Sequence, residues 1–325
     1  MTAPERARWG RRLTAALLAL LSLTLLAGSL RATSHADNSG LDVTPTALYY
    51  LPLVTVYRAC PDSSTNDYVR GTAYQYDQDN PVRPAYDHAD KNLELRGYVP
   101  ASDPNLRREL IQYGCDDDKA PQLATVFKPA RVPRITGLYQ VHHWEWAESP
   151  DLGRRADPIA QPPVTALGLH AAPGETVYVP NSGYDIGGGM EVLVIFADQD
   201  TVALRYGRED SVGGPPRDYV PGGPGYVVHV DGICTDPNLL ALYRDLDRPD
   251  GPRYVYVPPD RRPYTYPLPN LPSRHPIGTV PDGNVVVAVV DTGSFQDPRS
   301  LDEFWRVRPG YDRVSRYRTG QEVVE

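Results

Sequence analysis

The sequence predicts a mainly antiparallel β protein with a few short helices, and three observations carry that expectation. Thirty-four prolines and 27 glycines in 325 residues punctuate the chain too often for long helices. Tyr outnumbers Phe 22 to 4, which suits strands and half-wet surfaces where the ring packs and the hydroxyl stays in water. The apolar runs are short, rich in Val and Tyr, and bounded by Gly, Pro, Asn and Asp. The expected division is an N-terminal α+β part over 45–153, a linker at 154–163, a β-rich C-terminal domain over 164–310 with an insertion at 232–275, and a tail at 311–325.

The first 36 residues read as a secretory signal peptide. Arg6, Arg8, Arg11 and Arg12 precede an apolar run, Leu13–Ala27, broken only by Thr14, Ser22 and Thr24. That run is shorter than the roughly 20 apolar residues of a membrane span. Ser34-His35-Ala36 then supplies a small-x-small cleavage site ahead of the polar Asp37-Asn38-Ser39-Gly40. No Cys stands at the site to carry a lipid, so the expected protein is secreted or held in the cell envelope, not membrane-spanning after signal cleavage. Later apolar runs such as Val285–Val290 are strand-sized. A net charge of −8 and a pI near 5.4, with no basic run to neutralise phosphates, argue against nucleic acid as a partner.

Taken in order, Thr46–Arg58 reads as a strand and Cys60–Asp90 as loop. A helix is expected from Asp103 as N-cap and Pro104 at the first helical position, with Leu106, Leu110 and Ile111 on one face and Gly114 as the stop. Ile135–Ala147 is a strand, and Arg154–Pro163, with three prolines, a linker. Further strands are expected at Val164–His170, Thr176–Val179, Glu191–Phe196, Thr201–Tyr206, Gly225–Asp231 and Asn284–Asp291, with a hairpin turn at Ala197-Asp198-Gln199-Asp200. Asp236 and Pro237 open a helix to Leu246. Ser300 and Glu303 have capping-box spacing. The proline-rich Val257–Pro272 reads as an extended insertion.

Three cysteines, Cys60, Cys115 and Cys234, predict one disulfide and one free thiol in an exported chain. Three pairings are open, with a mild preference for Cys60–Cys115 because both lie in the N-terminal half. None has a His or Asn pattern that would make it a nucleophile.

Alternation along Tyr139–Ala147 places His142, Trp144 and Trp146 on one face and His143 with Glu145 on the other. Paired tryptophans suit stacking on sugar rings, or an aromatic core strand. Gly183-Tyr184-Asp185-Ile186-Gly187-Gly188-Gly189 lacks the Lys and Ser/Thr of a phosphate loop and precedes a strand rather than a helix. It reads as a tight bend capped by Asp185, or a ligand-binding loop that presents Tyr184. His229 shares a strand face with Asp231. The candidate ligand-binding residues are therefore Asp185, His229, Asp231, Trp144, Trp146 and Tyr184. No catalytic residue, metal site or cofactor is indicated.

The second half resembles the β scaffold of the lysostaphin-like zinc peptidases that cut peptidoglycan. The resemblance runs through Gly174–Val179, the glycine-rich loop, Met190–Ile195, Val202–Tyr206, Ile277-Gly278 and Val285–Val290 into Asp291-Thr292-Gly293, ending at Asp297-Pro298, about 130 residues in all. That family takes zinc from a His-x-x-x-Asp pattern and a late His-x-His strand. Here Asn181 stands where the first His belongs, and the late strand Asn284–Val290 has no His. The resemblance therefore implies a relative without the zinc ligands, since Val offers zinc nothing. Gly183–Gly189 and Asp236–Tyr243 are also similar in wording to exported bacterial proteins without an assigned activity. The expected function is a non-enzymatic envelope or extracellular protein that binds a glycan or peptidoglycan component. The alternatives are a metal-dependent hydrolase built from His229, Asp231, Asp185 and His170 or His275, and a structural module of an envelope assembly.

Overall fold

In the computed structural model, residues 59–75, 84–113, 117–147, 153–212, 225–255, 258, 261 and 264–306 are described. The signal segment, the strand expected at Thr46–Arg58, Cys115 and the tail from 311 lie outside them. The run Asn284–Asp291 explains the architecture best. Its apolar residues are continuous rather than alternating, and a strand of that kind must be covered on both faces. It forms strand β13, buried from Val285 to Val290. Antiparallel partners lie on either side: β9 (Val227–Asp231) pairs Val230 with Val287, and β5 (Ala166–His170) pairs Leu167 with the same residue.

The sheet continues outward from this centre, and all its named strand pairs are antiparallel. Its order is β1 (Val69–Gln75), β11 (Tyr264–Leu271), β7 (Val192–Ala197), β8 (Thr201–Arg205), β9, β13, β5, β3 (Ile135–Glu145) and β2 (Tyr98–Pro100). β4 (Arg154–Pro158) pairs with β3, and β14 (Ser294–Phe295) folds back on β13. The return to β14 uses Thr292 and Gly293, with φ 47° and 79°, the positive values a two-residue hairpin turn of matching twist demands. A second sheet joins β10 (Cys234–Thr235), β12 (Pro276–Thr279) and β6 (Thr176–Tyr178). Among the described residues no helix is long and apolar enough to cross a membrane.

The fold class is as the sequence predicts, and several elements differ in detail. The expected linker supplies β4, and the expected insertion supplies β11, paired between β1 and β7. Its ladder to β7 is confined to Asn270 and Leu271, beyond Pro267 and Pro269, which have no N–H to give. No helix forms over 103–113. Asp103 instead accepts the Asn105 backbone N–H at 2.9 Å, closing a local turn. The Ile111 backbone is captured in a bridge, donating to Arg299 O and accepting from Leu301 N.

Three short helices complete the described chain: α1 (Leu93–Arg96), α2 (Pro237–Leu246) and α3 (Leu301–Phe304). In α2 the Asp236 side chain accepts from Asn238 and Leu239 N–H, and Leu239, Tyr243 and Leu246 are buried at helical spacing. The capping box at α3 does not form: Ser300 makes no side-chain cap bond, and the Glu303 carboxylate accepts from the Tyr226 hydroxyl.

The disulfide joins Cys60 to Cys234, not to Cys115. Polar contacts to the start of α2 explain the pairing. Asp236 Oδ2 accepts from Ser64 Oγ at 2.6 Å and Asn66 Nδ2 at 2.7 Å. Asn238 Nδ2 donates to the carbonyl oxygens of Ser64 and Asn66. Residues 59–67 are thereby laid beside β10, which carries Cys234.

Charges also enter the interior. Lys91 Nζ lies 3.2 Å from Asp210, Arg253 lies 3.8 Å from the same carboxylate, and Arg253 Nη1 is 2.6 Å from Asp247, with Lys91, Asp210 and Arg253 fully buried. Tyr243 and Tyr254 hydroxyls donate to Asp247, and Arg253 Nη2 donates to Ile195 O in β7. Replacing Asp210 by Ala removes the carboxylate that two buried cations share, and the expected loss in urea unfolding is about 3–5 kcal/mol. Breaking the exposed Arg70–Asp245 pair by Arg70→Ala is expected to cost under about 1 kcal/mol. Reducing Cys60–Cys234 should cost about 2–4 kcal/mol, read from the same unfolding curves with and without reductant.

Candidate functional site

The glycine-rich loop after β6 forms one wall of a cleft. Gly187, Gly188 and Gly189 have φ of 102°, 68° and 77°, a run of left-handed backbone that glycine alone adopts without strain. Asp185 Oδ1 accepts the Gly187 N–H at 2.7 Å, and Arg208 Nε donates to the Ile186 carbonyl oxygen. Buried Glu191 holds the loop from behind, accepting from Ser182 N and Oγ. The bend is thus the capped turn expected of Asp185, and it also shapes a hollow.

The cleft has a volume of about 450 Å3 and lies between this loop, the turn Gly207–Glu209 after β8, Tyr74 at the end of β1, and Lys119. That size is in the range of small-molecule sites. Lys119 Nζ lies 5.5 Å from the centre of the Tyr184 ring. The half-buried Tyr184 ring contacts Tyr206 and Tyr226 at 6.2 and 6.5 Å between centroids. Burial, followed by the nearby Asp117 charge, pushes the Tyr184 hydroxyl up to about 12, so it remains a neutral donor. Beyond Tyr184, the Tyr226 hydroxyl reaches Asp117 Oδ2 at 2.7 Å and Glu303 Oε1 at 3.0 Å. Burial first, then neighbouring carboxylates, raise the Glu303 and Asp291 carboxyls.

A second hollow, of about 320 Å3, lies beside the disulfide and is lined by Ser63, Ser64, Thr65 and Asp236 among others. Its carboxylate is already committed to capping α2.

Only two of the six sequence-predicted site residues, Tyr184 and Asp185, line the first cleft. His229 lies inside the sheet on β9, 1% exposed, with its ring stacked on Phe295 at 6.1 Å. Neither ring nitrogen has a hydrogen-bond partner among the described residues, and burial, with the Arg96 charge second, pulls it down to about 3. Asp231 accepts from Tyr98 at 2.6 Å and Thr201 at 2.7 Å rather than from His229. Trp144 and Trp146 form an edge-on pair at 6.2 Å on β3 and the residues after it, and Trp146 also meets His88 at 5.0 Å. Glu145 pairs with Arg154, and His142 Nδ1 lies 2.7 Å from Ala156 O. His170 is exposed at the end of β5, and His275 Nε2 contacts Asp67 O. Among the described residues no three His, Cys, Asp or Glu side chains are placed to hold a metal ion.

Asn181 is buried, and its Oδ1 accepts from Ser273 Oγ at 3.0 Å. The cleft residues that sequence reasoning missed are Lys119, Arg208, Glu209 and Tyr74, together with Arg205 beneath them. One signal existed: Arg205 is the single charge in the strand Thr201–Arg205, which is buried throughout. No family model, curated protein or solved structure matches the chain.

The burial of His229 gives a pH dependence of defined sign. The folded protein keeps the imidazole neutral down to about pH 3, whereas an unfolded chain takes the proton near pH 6.5. Stability from this group is therefore complete above about pH 6.5 and falls, by up to about 1.4 kcal/mol per unit, as pH drops toward 3. The raised carboxyls Asp291 and Glu303 act in the opposite sense, so a variant is compared with wild type. Urea unfolding at pH 7, 5.5 and 4.5 should show His229→Leu losing less stability than wild type. Parallel losses in the two proteins would refute the assignment.

Proposed function

We propose that this is an exported, non-enzymatic protein that binds a glycan or peptidoglycan component of the cell envelope in the cleft at Tyr184. The carrying observation is the composition of that cleft: an aromatic ring flanked by two carboxylates, Asp185 and Glu209, and two cations, Lys119 and Arg208. A sugar ring offers an apolar C–H face to an aromatic surface and a rim of hydroxyls to planar charged groups. The balance of charges suits a ligand bound through many hydrogen bonds. Export is supported by the arginine-led apolar segment and the small-residue cleavage site at its end.

The non-enzymatic part of the proposal draws on the dispersal of the groups a hydrolase would use. His229 is enclosed against Phe295, Asp231 is engaged by Tyr98 and Thr201, and Asp185 lies on the cleft. A general base must come within hydrogen-bond reach of its proton, and these three groups surround no common point.

The test is retention on purified sacculi together with a glycan array, using wild type, Tyr184→Ala and Trp146→Ala. Tyr184→Ala is expected to weaken binding about five- to tenfold, the contribution of a stacked aromatic ring, with Trp146→Ala unchanged. Loss in Trp146→Ala alone would move the site to the tryptophan pair. No retention of wild type on either support would remove the glycan reading.

A further inference from the structure

Arg205 ends β8 with its guanidinium fully buried. Its Nη1 donates to the Gly225 carbonyl oxygen. Nε and Nη2 have no hydrogen-bond partner among the described residues. These two nitrogens occupy one edge of the planar guanidinium, the side-on fork whose parallel N–H groups match the two oxygens of a carboxylate. An unpaired edge in the interior carries a full desolvation cost, so an orphaned fork marks a place where a partner belongs.

The fork adjoins the cleft. The point that a β-carbon on Gly207 would occupy lies 3.6 Å from Arg205 Nε and 2.7 Å from Glu209 Oε2. Gly207 and Glu209 both line the cleft. Glycine at 207 keeps a side chain out of the gap between the fork and Glu209, whose flexible carboxylate fills the rest of it. Burial lowers the Arg205 guanidinium, and Glu209 opposes that most, followed by Tyr184, the other lining residue involved, and then Asp291 and Asp210.

Two further cations, Lys119 and Arg208, line the same cleft.

We infer that the Nε/Nη2 edge of Arg205 is an anion subsite of the cleft, and that the glycan bound there is one whose sugar carries a carboxylate. This inference rests on the glycan reading of the cleft and narrows it. The carboxylate enters past Gly207 onto the fork as the Glu209 side chain swings aside, Lys119 and Arg208 add attraction from the wall, and the sugar ring lies against Tyr184. A neutral sugar keeps the ring and hydroxyl contacts and forfeits the fork.

The experiment is calorimetric titration of the full chain with two disaccharides. One is N-acetylglucosaminyl-N-acetylmuramic acid, which carries a lactyl carboxylate, and the other is the neutral diacetylchitobiose. The acidic sugar should bind about tenfold more tightly, the contribution of a charge-assisted hydrogen-bonded pair. Its methyl ester, of nearly the same size but uncharged, should fall to the affinity of the neutral sugar. Arg205→Lys keeps the charge and loses the fork, so the preference should fall toward unity with chitobiose binding unchanged. Should that variant not fold, the Arg205 Nε–H resonance of wild type carries the assignment, shifting with the acid and not with the ester. Equal binding of acid, ester and chitobiose would overturn the anion subsite and leave the glycan reading intact. Binding of none would overturn both. A preference undiminished in folded Arg205→Lys, or an unmoved Nε–H resonance, would remove Arg205 from the subsite.

Discussion

Lys91, Asp210, Arg253 and Asp247 form a line of charges in the interior, and the arrangement of the surrounding chain follows from their need for one another. A lone buried charge is costly, whereas a paired and hydrogen-bonded one can be accommodated. Lys91 precedes α1, Asp210 follows the cleft turn, Arg253 ends the loop after α2, and Asp247 is the residue that caps α2. Gln75 in β1 donates to the Arg253 carbonyl oxygen, and Ile195 in β7 accepts from its guanidinium. Three segments far apart in sequence, at Lys91, Asp210 and Asp247–Arg253, are thus tied to the sheet by electrostatics as well as by apolar contact. The turn that places Glu209 and Arg208 on the cleft is anchored by the very next residue, Asp210.

This anchoring is also what makes the cleft a defined shape. The Gly207–Glu209 turn is pinned at Asp210, and the glycine-rich loop is pinned by Glu191 behind it and by Arg208 across it. A binding surface carried on two such loops needs support of this kind, because a loose loop gives up conformational entropy when a ligand orders it, and that loss offsets the binding energy. The aromatic set Tyr184, Tyr206 and Tyr226 continues from the cleft into the core, with the Tyr206 hydroxyl donating to Pro180 O and Tyr226 meeting Phe304. Ligand contact at Tyr184 is therefore backed by packed rings rather than by solvent.

Much of the strand pattern could be read from the residues, because short Val- and Tyr-rich runs between Gly, Pro and Asp obey local rules. Asn284–Asp291 and the helix capped by Asp236 fall where the pattern puts them. The failures share a cause. Asp103-Pro104 has the composition of a helix start, but a helix of about ten residues has little stability of its own. There a local Asx bond and the bridge from Ile111 to Ser300 prevail. The Ser300–Glu303 capping box lost to Tyr226, a partner 77 residues away in sequence. Tyr184 and Asp185 could be singled out on the glycine-rich loop, whereas Lys119 and Glu209 come from loops whose approach no local pattern announces.

The sequence by itself determined the β class, the places where many of the strands and turns fall, and the helix capped by Asp236. Propensity, capping and turn chemistry act over a few residues and need no knowledge of the rest of the chain. Only the tertiary structure decided which cysteine meets Cys60, that His229 is a neutral core residue, and that Arg205 presents a bare edge beside a cleft. Each of these depends on what lies across space from a side chain. Burial, pairing and charge balance are set by neighbours that the linear order does not name.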